Sequence, residues 1–392
     1  METGWAVLLL ILVVYASVAR WLANRLITMP IVLVVVGLLI GPRVLNLVPF
    51  APDTEFEKLL TEITLALLLF ADASSLELNA VRHDAQLPAR LLFLALPLIM
   101  ALGGLVAWLL FANELIGYTL LLGAILAPTD AALGMAIFAN PSVPVRIRRA
   151  LNVESGLNDG IATPFVTLFI ALALAELNGE GHWLASALLQ IGVAIAVGGL
   201  IGWAGAKLLS TTHRLGWTGE TAQQLAILSL SLSCYLCSVV LHGNGFIAAF
   251  VGGIVFGAVA SRPVSHGVEY TETTGTFLSA LVWVIFGATL APIAIFDIFS
   301  WRAVLYAILS LTLIRMAPVW LAMIGTGFRL DTVLVMGWFG PRGLASVVFT
   351  LLAFVALEEG QAQNEVLIAC AFWTILLSVV AHGLSAQPIA RW

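Results

Sequence analysis

The feature that most constrains this chain is a succession of apolar runs, each about as long as a bilayer is thick, separated by short polar links. A membrane-crossing helix needs ~20 mostly apolar residues. Inside the hydrocarbon region only elements that satisfy every backbone N–H and C=O internally are viable. On that basis the runs predict helices over 4–20, 26–41, 59–75, 88–111, 115–139, 149–175, 183–207, 219–241, 243–260, 273–291, 302–325, 332–356 and 366–387. The expected fold is an all-α polytopic membrane protein of about 13 transmembrane helices. Composition agrees: 61% of the residues are hydrophobic and 10% charged, against about 25% charged in a soluble domain. The first run lacks a basic leader and a cleavage site, so it reads as a retained helix.

Charge supports the count. Of 17 Lys and Arg, only Arg43, Lys58 and Arg302 fall on one side of the predicted membrane, and Arg315 and Arg342 fall inside spans. The rest, among them Arg20, Arg90, Arg146, Arg148, Arg149 and Arg214, gather on the other side. The excess of cations marks the cytoplasmic face. The expected placement is a cell inner (plasma) membrane, with the N-terminus outside and the C-terminus cytoplasmic. Trp21, Trp183, Trp217 and Trp301 lie near span ends, where an interfacial belt belongs.

An ionisable residue at membrane depth costs several kcal/mol and marks function by default. Asp72, Asp130, Glu154, Asp159, Arg315 and Arg342 stand out on this criterion. Two of them sit beside helix breakers: Pro128-Thr129-Asp130 in the fifth run and Gly340-Pro341-Arg342-Gly343 in the twelfth. Broken helices at corresponding positions of two halves point to a transporter's midplane site. The spacing suits two inverted six-helix repeats, about 4–175 and 219–387, joined by a linker helix at 183–207, within one membrane domain over 1–392. Facing half-helix ends carry partial charges, which Asp130 and Arg342 are suited to compensate.

The sixth run opens with Glu154-Ser155-Gly156-Leu157-Asn158-Asp159-Gly160. Ser155 and Asp159 share one helix face, and Glu154 and Asn158 another. Glu154 and Asp159 diverge by about 140° and should do different work. Thr129, Asp130, Ser155 and Asp159 together make an oxygen-rich set that suits a hard cation such as Na+. Glu154 needs a cation of its own, with Arg315 the better placed and Arg342 the alternative. Asp72 reads equally as a ligand, as a lining of the access path, or as a carboxylate at the cytoplasmic mouth. No two histidines have metal-ligand spacing, and no phosphate-binding loop is present, so neither a metalloenzyme nor nucleotide-driven transport is expected. Cys234 and Cys237 form a CxxC inside an apolar run with no second pair, which reads as lipid-embedded helix.

APTDAALGMAIF, a basic link, and then ALNVESGLNDGIATP resemble the NhaP-type and NHE-type sodium/proton exchangers, and GNGFIAAFVGGIVFG and WFGPRGLASVVF support the resemblance. The resemblance implies a thirteen-helix fold with interleaved core and dimerisation bundles, and a homodimer. It implies that Asp159 binds cation and proton in turn, that Asn158 stands where electrogenic relatives carry a second aspartate, and that Glu154 pairs with a buried arginine, most naturally Arg315. Such proteins usually carry a glutamate at or near the position of Asp72. The expected activity is secondary antiport of a monovalent cation (Na+, with Li+ or K+ as alternatives) against H+, electroneutral, without cofactor, nucleotide or nucleic acid. Two other classes are a cation channel, which shows no proton coupling, and an intramembrane aspartyl-type enzyme, which would need Asp130 and Asp159 as a catalytic pair.

Overall fold

The computed structural model describes residues 2–23, 27–48, 55–75, 86–111, 114–130, 143–179, 181–357 and 361–391. The second half of the fifth run, 131–142, lies outside the described residues. Among the described residues every regular element is a helix. In chain order these are α1 (Glu2–Ala23), α2 (Met29–Ile40), α3 (Glu55–Ser74), α4 (Gln86–Leu110), α5 (Ile116–Ile125), α6 (Val145–Asn178), α7 (Trp183–Arg214) and α8 (Glu220–Val240). There follow α9 (Gly245–Val259), α10 (Val268–Asp297), α11 (Trp301–Leu311), α12 (Leu313–Met323), α13 (Leu330–Trp338), α14 (Leu344–Ala356) and α15 (Gln361–Arg391), with one short turn at Arg262–Ser265. Among the described residues, seven helical stretches are long and apolar enough to cross a membrane, and five shorter apolar helices accompany them.

Local chemistry sets several ends. Asn244 caps α9, its side-chain oxygen accepting from Ile247 N at 3.0 Å, the usual work of asparagine at that position. Gly179 ends α6 in the left-handed region at φ 71°, where glycine carries no Cβ penalty. α4 widens to a π turn at Leu91–Ala95 just ahead of Pro97, and α10 does so at Ile293–Asp297 just after Pro292; proline cannot donate to the preceding turn. The helices also depart from the predicted spans. α3 starts at Glu55, which puts Glu57 and Lys58 on a helix rather than in a link. The eleventh run is two helices, broken at Thr312 with φ −110° and ψ −94°.

Packing sorts the helices into two sets. α2, α3, α7, α8, α9 and α10 pack mainly on one another, and α4, α5, α6 and α11 to α15 form the other set. Small residues allow the close approaches within the first set: Gly198 and Gly202 of α7 lie against the α9 backbone, and Gly253 and Gly257 of α9 against α3 at Phe70 and Ser74. Such residues are the usual means by which membrane helices bring backbones together. The two sets meet where α6 contacts α3, α7 and α9, where α14 contacts α3 and α10, and where α15 contacts α2 and α10. Trp21, Trp217 and Trp301 are exposed at helix ends.

Candidate functional site

Pro341 interrupts a helix, and the chain that leaves α5 through Pro128 crosses that interruption. α5 stops at Ile125, with Leu126 N and Ala127 N closing its last turn on Leu122 O and Ala124 O, and the chain runs on in non-helical form through Asp130; α13 stops at Trp338 and α14 begins at Leu344. Asp130 N donates to Pro341 O at 2.8 Å, which ties one crossing strand to the other.

Each strand then serves a helix end of the other. The Asp130 carboxylate accepts from Leu344 N, the first N–H of α14, at 3.2 Å. Arg342, fully buried, donates through Nη1 to Ala127 O at 2.9 Å and to Pro128 O at 3.3 Å. Its Nη2 donates to Ser310 O at 3.4 Å, and Ser346 Oγ donates to Ile125 O at 2.8 Å. The orphan carbonyls after α5 and the orphan N–H at the start of α14 are thus met, with charges of the sign that each helix end favours. Glycine is needed in this crossing: a Cβ on Gly343 would overlap the Asp130 carboxylate, and one on Gly340 would overlap the Arg315 side chain.

α6 supplies the wall. Thr129 Oγ1 and Ser155 Oγ lie 3.1 Å apart, and Asn158 Nδ2 donates to Thr129 Oγ1 at 2.6 Å. Either hydroxyl can be the donor in the Thr129–Ser155 contact. Thr129, Ser155 and Asn158 are all buried, and Asp159 is half-buried beside them. Asp159 Oδ1 and Asn158 Oδ1 are buried acceptors without a hydrogen-bond partner among the described residues. A carboxylate, an amide carbonyl and hydroxyl oxygens make a donor set suited to a hard monovalent cation. Asp72, half-buried on α3, stands within electrostatic range of Asp130 and Asp159, and also of Glu272 on α10. Gly160 makes room for the Phe250 ring of α9, which holds the first helix set against α6 beside Asp159.

Glu154 points elsewhere. Its Oε1 lies 2.9 Å from Arg315 Nη1, with side chains 2% and 1% exposed respectively. Arg315 also donates to Phe339 O at 3.5 Å, at the end of α13. The structure therefore brings Thr129, Asp130, Ser155, Asn158 and Asp159 together, sets Asp72 within electrostatic range of Asp130 and Asp159, and sets Glu154 with Arg315. Arg342 is committed to the α5 end, while Arg315 and His382 attend the α13 end.

Two polar residues are missed by the sequence reading. Glu62 lies inside the predicted third span, so the criterion of an ionisable residue at membrane depth already applied to it; it accepts from Tyr235 of α8 at 2.8 Å. His382 is buried on α15, with Nε2 2.7 Å from Trp338 O.

Comparison with known proteins bears on this arrangement. The family described as "Sodium/hydrogen exchanger, transmembrane" matches residues 7–392. A K(+)/H(+) antiporter NhaP of Alkalimonas amylolytica is 26% identical over 382 residues, which cover 96% of this chain and 64% of that protein. The Na(+)/H(+) antiporter ApNhaP of Aphanothece halophytica is 26% identical, with 93% of this chain and 69% of its own length covered. The chain thus spans about two thirds of these two curated relatives, and 49% of the K(+)/H(+) antiporter NhaP2 of Shewanella. In fold it is similar to the sodium proton antiporter MjNhaP1 of Methanocaldococcus jannaschii, with a TM-score of 0.80 at 22% identity, covering 100% of this chain and 98% of that one.

Proposed function

The chain belongs to the transmembrane sodium/hydrogen exchanger family, and we propose that it is a secondary active antiporter exchanging a monovalent cation for H+, with both competing for Asp159. The observation that carries this reading is the pair of buried, unpartnered oxygens, Asp159 Oδ1 and Asn158 Oδ1, beside the crossing of the α5 end with the α13–α14 break. An ionised carboxylate withdrawn from bulk water needs a counter-charge, and a proton and a cation each supply one. Thr129, Ser155 and Asn158 would supply the neutral oxygens around a bound cation, while Asp130 and Asp72 add negative potential without competing for the same atom. The cargo is Na+ or K+, with Li+ as a chemically similar substitute; named relatives are divided between the first two.

Either load neutralises Asp159, and the neutral site can pass the low-dielectric barrier that the empty charged site cannot. The set made of α4, α5, α6 and α11 to α15 carries the site and moves as a core against the other set, which gives alternating access without nucleotide. The thirteen-span topology, the two inverted repeats, the cytoplasmic C-terminus and the homodimer belong to this reading. An uncoupled channel would leave the carboxylate cluster without a purpose. An aspartyl-type hydrolase needs Asp130 as a catalytic partner, but it is engaged at the α14 N-terminus.

The test is proton movement in proteoliposomes carrying a pH-sensitive dye, driven by Na+ or K+ gradients. Wild type should exchange, and Asp159→Asn should abolish exchange while keeping its thermal stability, because an amide cannot take up and release a proton at physiological pH. Residual coupled exchange above about a tenth of wild type would sink the assignment.

A further inference from the structure

α15 presents Ser378, His382 and Ser385 at spacings of four and three, so the three lie on one helix face. All three bond to the end of α13 or the strand that follows it. Ser385 Oγ accepts from Trp338 Nε1 at 2.9 Å, His382 Nε2 lies 2.7 Å from Trp338 O, and Ser378 Oγ accepts from Arg342 N at 2.6 Å. His382 Nδ1 lies 3.1 Å from Ser378 Oγ and 2.8 Å from Ser378 O. His382 is 1% exposed, and its ring packs on Trp338 and Phe339 with centroids 5.1 and 6.2 Å away. The charged groups facing it are Arg342 and Arg315.

Trp338 O and Ser378 O both only accept, one at each ring nitrogen, and the neutral ring has one proton to give. In the tautomer that links α15 to α13, Nε2 carries that proton and donates to Trp338 O. Nδ1 then accepts from the Ser378 hydroxyl, whose oxygen in turn accepts from Arg342 N. The relay runs from the last carbonyl of α13, through His382 and Ser378, to the backbone of Arg342. The Arg342 guanidinium continues it to Ala127 O and Pro128 O, immediately before Thr129.

We propose that His382 is a positioning residue for cation binding: its Nε2–H anchors the α13 end and, through Ser378, sets where Arg342 holds the strand that presents Thr129. This rests on the antiport reading above and adds a residue outside the oxygen cluster to it. A helix end in the hydrocarbon region leaves carbonyls that must find donors. Trp338 O accepts from Gly340 N at 2.8 Å, and His382 adds a second donor from a different helix, so the crossing is referenced to α15 and not only to its partner strand.

The experiment compares His382→Leu, His382→Gln and Ser378→Ala in proteoliposomes and in detergent. Two quantities are read: the half-saturating Na+ or K+ concentration for exchange, and the cation-induced rise in melting temperature, which reports binding without transport. His382→Leu fills the space without donating and should raise the half-saturating concentration about tenfold, equivalent to ~1.4 kcal/mol, with a smaller effect on maximal rate. His382→Gln keeps an amide N–H for Trp338 O and should restore affinity to within about threefold of wild type. Wild-type affinity in His382→Leu overturns the proposal. Equal loss in His382→Leu and His382→Gln also overturns it, since packing alone would then explain the position. Should His382→Leu not fold, Ser378→Ala decides, with weakened binding expected and unchanged binding overturning. A wild-type protein that binds cation but does not exchange it would sink the antiport reading alone, because the melting shift still tests this one.

Discussion

Glu154 and Asp159 are five residues apart on α6 and keep different company, Arg315 on one side and the oxygen cluster on the other. Their substitutions should therefore fail differently. Glu154→Gln strands a buried guanidinium, and removing one member of such a pair typically costs about 3–5 kcal/mol. Thermal unfolding in detergent should fall accordingly, cation affinity should fall much less, and Arg315→Gln should behave alike. Because the two share one interaction, the double change should cost less than the sum of the single ones. A normal melting temperature with lost cation binding would make Glu154 a ligand. At Asp159 the expected signature is competition. Protonation removes the charge the cation needs, so the apparent affinity for cation weakens as pH falls and plateaus as pH rises above the carboxyl's titration. With one titrating group, the half-saturating concentration changes by at most about tenfold per pH unit. A steeper slope, measured as exchange rate against cation concentration at several pH values, would count more than one proton in the competition.

At the scale of elements, the crossing of α5 and α13–α14 decides the geometry, and its glycines are the most direct probe. A Cβ at Gly343 meets the Asp130 carboxylate, whereas a Cβ at Gly156, on α6 beside Ser155, meets nothing within 4 Å. Gly343→Ala should displace Asp130 from Leu344 N and reduce exchange by more than about tenfold, while Gly156→Ala should leave exchange intact and raise stability by up to ~1 kcal/mol through helix propensity. Equal effects of the two on exchange would mean that the crossing is not the sensitive element. The contrast also shows what was legible beforehand. Pro128 and Pro341 announce their breaks because proline removes a donor, and each lies next to a charge in an apolar run. Ser155 and Asp159 could be set on one face by helical periodicity alone. The break at Thr312 carries no such sign, since neither proline nor glycine stands there. The stripe of Ser378, His382 and Ser385 had the right spacing, but its residues are ordinary in membrane helices until the α13 end is seen opposite them. Glu62 was legible by the same rule that selected Asp72, and only its partner Tyr235 required the fold.

At the scale of the whole molecule the question is how much charge moves per cycle. The two helix sets meet along α6, α14 and α15, so a core that slides as a unit carries Asp130, Asp159 and Arg342 together, and fixed charges add nothing to the difference between loaded states. In the proposed cycle, what differs between the two half-cycles is only the load on Asp159. Asn158 cannot titrate, Asp130 is engaged with Leu344 N, and Glu154 is held by Arg315. One monovalent cation and one proton then neutralise the same carboxylate in turn, each half-cycle carries the same charge, and exchange should be electroneutral. The direction of transport should follow the cation and pH gradients and ignore the membrane potential, although moving one net charge through 100 mV would be worth ~2.3 kcal/mol and would be plain in the rates. Proteoliposomes held at fixed cation and pH gradients, with a potential imposed by K+ and valinomycin for Na+ exchange, measure this directly. Rates that stay constant as the potential is reversed support a single alternating carboxylate. Rates that follow the potential require a second coupled charge, whose source would be Asp130 or Asp72, the two acids within electrostatic range of Asp159. Asp130→Asn and Asp72→Asn would then separate them, since only the residue that carries the extra proton would abolish the voltage dependence while leaving exchange in place.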